Sequence, residues 1–106
     1  MDKEKQVGFN RYVSNNVVTS QDVVICPANT VITLIGVTVS NISGNLTTAT
    51  ITAAGANVLK DVEIRKGSAI VPVGGEQKIV LLAGDTLTVS ADYAVDVIAS
   101  VLEQTV

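Results

Sequence analysis

From about Gln21 onward, apolar runs are cut by turn residues about every eight to twelve positions, and no stretch keeps a helical period. That rhythm constrains the fold more than any other feature. Connections this short cannot hold crossover helices, so successive strands must pair mainly antiparallel. The spacing predicts strands over 22–26, 31–40, 46–53, 58–64, 69–73, 78–82, 86–90 and 95–102. The expected fold is all-β, an antiparallel β-sandwich of about eight strands, of jelly-roll or Greek-key type.

Local patterning sharpens the expectation. In the second predicted strand, Ile35, Val37 and Val39 alternate with Gly36, Thr38 and Ser40, and Gly36 marks a bulge or bend. Asn41-Ile42-Ser43-Gly44-Asn45 reads as a hairpin turn, after which the chain pairs back with Thr48, Thr50 and Thr52 outward and Ala49, Ile51 and Ala53 inward. Ala54-Gly55-Ala56-Asn57 turns it again, and Pro72 marks an edge position.

At 106 residues the chain is one domain, and 47% hydrophobic residues supply a full core. Aromatics are only 3%, so that core must be Val, Ile, Leu and Ala. Charged residues are 16% and mean hydropathy is +0.45, which leaves too few charges to cover the surface. Some face is therefore expected to be buried against a partner.

Residues 1–20 differ from the rest. They are polar, with Phe9, Tyr12, Val17 and Val18 as isolated apolar points and an Asn15-Asn16 pair suited to a turn. The expected organisation is an extended N-terminal arm over 1–20 and a sandwich domain over 21–106. The first fourteen residues carry three cations against two anions, and the remainder four against eight. Two of the three aromatics, Phe9 and Tyr12, sit on this arm. Aromatics displaced from a core onto a polar arm read as anchors for a neighbour's pocket. The alternative is an arm folded back over the open end of its own sandwich.

The residues that perform chemistry are scarce. There is no histidine, the commonest general base and metal ligand. Cys26, the single cysteine, lies in an apolar strand before Pro27 with no histidine to activate it, and reads as a small buried hydrophobe. Asp61 and Glu63 share a strand face at a spacing that would suit a glycosidase pair, but no aromatic platform flanks them. Asp85, Asp92 and Asp96 could gather hard oxygen ligands for calcium, without EF-hand spacing. The expectation is no enzyme, no metal and no cofactor. Net charge is −3 with no basic footprint, which argues against nucleic acid. No apolar run approaches membrane-spanning length, and the first residues lack the apolar stretch of a signal peptide.

The middle and end of the chain resemble a known pattern. Cys26-Pro27-Ala28-Asn29-Thr30 before a Val/Ile strand, Leu59-Lys60-Asp61-Val62-Glu63-Ile64 with Gly67-Ser68, and the run from Lys78 to Val89 through Ala83-Gly84-Asp85 look like small tailed-bacteriophage virion proteins. The ending Ala94-Val95-Asp96-Val97-Ile98-Ala99-Ser100-Val101-Leu102-Glu103 belongs to the same pattern. The resemblance spans about Cys26 to Glu103 and consists of strand-and-turn signatures. It implies a capsid decoration (cement) protein located on the virion, binding the major capsid protein or another virion protein, as a homo-oligomer expected to be a trimer, with the arm reaching a neighbour through Phe9, Arg11 and Tyr12 as candidate partner contacts. A tail, neck or fibre-attachment component is the alternative on the same particle. A carbohydrate- or cell-surface-binding module is a third reading, weakened by the few aromatics.

Overall fold

The computed structural model describes residues 6–106; residues 1–5 of the expected arm lie outside the described residues. Seven strands follow one another: β1 (Val7–Ile25), β2 (Thr30–Asn41), β3 (Thr47–Ala53), β4 (Ala56–Ile64), β5 (Ala69–Val73), β6 (Ile79–Leu81) and β7 (Thr86–Thr105). Every pairing is antiparallel. The all-β, antiparallel, sandwich-like class expected from the sequence is what forms.

β7 organises the sheet. One of its edges takes β1 along nearly the whole length, from Gln104 opposite Val7 to Thr86 opposite Ile25. The other edge takes β2 over Val95 to Thr105 and β3 over Leu87 to Ala91. β2 in turn pairs with β5 and β6, and β3 with β4. The sheet curls, so that all seven strands contribute to one core built from Val, Ile, Leu and Ala, with Cys26 as its one thiol. Along β7 the buried residues are Leu87, Val89, Ala91, Val95, Val97, Ala99 and Val101, the period-two stripe a half-buried strand requires.

Several local expectations hold. A register shift falls between Leu34 and Gly36. Thr48, Thr50 and Thr52 alternate outward against buried Ala49, Ile51 and Ala53. β5, with Pro72, pairs on one side only, with β2. Ala54 and Gly55 both have positive φ (52° and 82°) between the paired Ala53 and Ala56, the backbone of a two-residue I′ hairpin.

Three expectations are corrected. Strands predicted at 86–90 and 95–102 are one strand, so the count is seven. Asp92 to Ala94 has no strand on the β2/β3 side, and the buried Thr47 hydroxyl fills the gap: it accepts the Tyr93 N–H (2.8 Å) and donates to the Tyr93 carbonyl (3.1 Å). Residues 41–45 do not close a hairpin, because β2 and β3 pair with β7 rather than with each other. They form a corner held by Asn41. Finally, the boundary expected between residues 20 and 21 falls inside β1. The residues around Asn15-Asn16 do not turn the chain back; bulges carry β1 through Asn16 and Thr19, at positive φ of 56° and 70°.

Candidate assembly surface

Among the described residues, β1 pairs with β7 alone, so along its second edge no described strand lies beside its main-chain groups. Natural proteins interrupt such edges with bulges, charges or prolines, because a regular edge templates pairing with another chain. From Ser14 to Val24 the register shifts three times. From Val7 to Ser14 it is unbroken. The regular stretch also carries exposed apolar side chains, Phe9 foremost.

Which groups face outward follows from two hydrogen bonds. The Gln6 carbonyl accepts the Thr105 N–H (2.8 Å), whereas the Arg11 N–H is turned from β7 and donates to the Asn10 Oδ1 (2.8 Å). In an antiparallel ladder these roles alternate. Gln6, Gly8, Asn10, Tyr12 and Ser14 therefore bond to β7, and Val7, Phe9, Arg11 and Val13 present N–H and C=O on the free edge.

The same alternation divides the side chains. Val7, Phe9, Arg11 and Val13 lie on the outer face, opposite Gln104, Leu102, Ser100 and Ile98. Phe9 is 83% exposed, and Val7, Val13 and Ile98 are exposed beside it. Shallow hollows flank Phe9, one of them lined by Asn10, Arg11, Ser100 and Val101. Val80, across the sheet on β6, extends the apolar surface.

The structure thus separates the three residues singled out from sequence. Phe9 and Arg11 stand together on the outer face. Tyr12 points to the other side, packs against the core, and donates its hydroxyl to Glu103 Oε1 (2.7 Å), which also accepts from Asn10 Nδ2 (2.7 Å). Desolvation, then the bond to the Glu103 carboxylate and its charge, push the Tyr12 phenol up to about 12. Val13, Ile98 and Val80 were missed from sequence. Placing them on this face required knowing that 7–14 is a strand and which edge of β7 it takes.

Among the remaining candidates, Cys26, Asp61, Asp85 and Asp96 are engaged in structural bonds. Cys26 is buried at 2% exposure, its thiol directed at the Thr30 carbonyl (3.2 Å), and burial pushes its pKa up, opposite to what a nucleophile needs. Asp61 sits at a bulge with φ +53°, which breaks the simple pleat relation to Glu63; its N–H donates to the Thr50 hydroxyl (3.0 Å), which donates back to its carboxylate (3.3 Å). Asp85 accepts the Leu82 N–H (2.9 Å) and Asp96 accepts the Asn16 N–H (3.0 Å). Among the described residues, no group of three His, Cys, Asp or Glu side chains is arranged to hold a metal ion.

No family model matches the chain, and no curated protein matches its sequence. One solved structure is similar: a chain from the disulfide-linked pili that form Bacillus endospore appendages, at TM-score 0.52 and 11% identity, covering 100% of this chain and 94% of that one. At that identity the likeness carries the fold alone.

Proposed function

We propose that this protein is a non-enzymatic structural subunit, that it works by burying its exposed β1 face in a larger protein assembly, and that the assembly is a tailed-phage particle whose shell it decorates. The observation that carries the assembly reading is the regular free edge from Val7 to Ser14 with Phe9, Val7 and Val13 bare on its outer face. A soluble chain that exposes its only phenylalanine at 83% on an unprotected strand gains by covering it. The phage setting rests on the strand-and-turn resemblance over Cys26 to Glu103.

A filament or appendage subunit is the second reading, favoured by the pilus chain that shares the fold. Disulfide linkage of the kind named for that protein does not transfer. One cysteine per chain forms one bond, which ends at a pair rather than propagating, and Cys26 is buried.

The test is light scattering and sedimentation of the pure protein with and without expanded tailed-phage capsids, with electron microscopy of the protein alone. Saturable co-sedimentation that is lost in Phe9→Arg supports decoration. Filaments formed without capsids move the function to an appendage. A protein that neither binds capsids nor associates with itself refutes the assembly reading.

A further inference from the structure

We propose that the free edge of β1 pairs with the same edge of a second copy, antiparallel, about a two-fold axis through Asn10. This names a partner for the surface described above and rests on reading it as an interface.

The register follows from the edge itself. Within the regular stretch, Val7, Phe9, Arg11 and Val13 are the described residues with outward N–H and C=O groups, so an antiparallel partner must set odd-numbered residues opposite odd-numbered ones. Every two-fold axis through a residue meets that condition, but only one sets all four of these residues opposite one another. An axis at Arg11 places two guanidinium groups directly opposite each other, a destabilising like-charge pair. An axis at Phe9 leaves Val13 facing a position before Gln6. An axis at Asn10 sets Phe9 opposite Arg11 of the second copy and Val7 opposite Val13, and each pair occurs twice.

That arrangement is self-complementary in every row. The guanidinium lies beside the aromatic ring in both symmetry-related pairs, a cation–π contact. The two valine pairs flank them, and all four pairs exchange main-chain hydrogen bonds. The Arg11 N–H, now held by Asn10 Oδ1, exchanges that bond for one to the Phe9 carbonyl of the second copy. Beyond Ser14 the bulges at Asn16 and Thr19 turn the edge away and end the pairing. The interface is smaller than the roughly 800 Å² per partner of a standard complex, so the dimer is expected to dissociate on dilution.

Sedimentation equilibrium of the full chain over a concentration series is expected to rise from one chain of 11.0 kDa towards two. Phe9→Arg places Arg opposite Arg11 and is expected to weaken association at least tenfold without altering the far-UV spectrum, because residue 9 touches no core. Cysteine trapping reads the register. Asn10→Cys brings two thiols to opposed Cα atoms about 4.5 Å apart, within disulfide range. Gly8→Cys, where a Cβ meets nothing within 4 Å, leaves them roughly 14 Å apart. Asn10→Cys is expected to oxidise to a dimer and Gly8→Cys to remain monomeric. A monomer at every concentration, a closed trimer, or equal trapping at both positions overturns the proposal. A monomer that still co-sediments with capsids overturns the two-fold pairing while the structural-subunit reading stands.

Discussion

Asn41 is the sharpest place to perturb the fold. Its side chain is 4% exposed and spans the corner where the chain leaves β2 for β3. Nδ2 donates to the carbonyls of Asn45 (2.7 Å) and Ile64 (2.9 Å), while Oδ1 accepts the Ser43 N–H (2.9 Å) and hydroxyl (2.7 Å). Among the described residues no buried side-chain polar atom lacks a partner, and this residue satisfies main-chain groups of three others. Asn41→Ala removes the side-chain donor to the buried Ile64 carbonyl at a cost of about 1–3 kcal/mol, and the other bonds, whose partners can turn to water, add about 0.5 kcal/mol each. The expected loss is ~3 kcal/mol, or a fall in Tm of roughly 10–20 °C for a domain of this size. Asn41→Asp keeps the shape but turns an oxygen towards both carbonyls. Ionised, it adds charge repulsion and desolvation to the lost donors, so at pH 7 it is expected to be worse than alanine. Burial raises the pKa of the new carboxyl, and once protonated it regains one donor. Its deficit relative to wild type is therefore expected to shrink as pH falls, while that of Asn41→Ala stays constant. Urea denaturation followed by far-UV circular dichroism at pH 7 and pH 4 measures both. Equal deficits for the two variants at pH 7, with no acid recovery in Asn41→Asp, would refute the reasoning.

Two further outcomes follow from β1. Tyr12 titrates at about 12 when folded against an ordinary value of 10.0, so its protonated form is favoured by folding. The stability it contributes is complete below pH 10 and is lost as pH rises from 10 towards 12. Tyr12→Phe is expected to flatten stability over that window in alkaline urea titrations, and an unchanged slope would show that the Tyr12 phenol does not govern it. Deleting residues 1–20 removes Val17, which is 1% exposed, and strips β7 of its partner from Ser90 to Gln104. The truncated chain is expected to lose cooperative thermal unfolding; a sharp transition close to that of the full chain would restore the view of these residues as a detachable arm.

Where one face of a strand is buried, the sequence makes the strand legible. The Thr48-Thr50-Thr52 row against Ala49-Ile51-Ala53, the Gly36 bulge and the Ala54-Gly55 turn could all be read from alternation and turn chemistry. β1 was hidden by the same logic. Over Val7 to Val13 nearly every side chain meets solvent, whichever face it lies on, so no apolar alternation marks the strand. Its conformation is dictated by the β7 edge, which no local window contains. The corner at 41–45 was misread for a related reason: Asn-Ile-Ser-Gly-Asn suits a hairpin as well as a corner, and only the shared partner β7 decides between them. The candidate surface divides along this line. Phe9 was visible as an aromatic displaced from a core that needs none. That Arg11 shares its face and Tyr12 does not is a matter of parity, legible once residues 7–14 are known to be a strand. The near-palindrome Val7-Phe9-Arg11-Val13 acquires meaning one step later still, when the hydrogen bonds of Gln6 and Arg11 show that these residues own the free edge. A pattern of four outward residues is noise in a solvated arm. On an unpaired strand it fixes which neighbour the chain can accept and in what register.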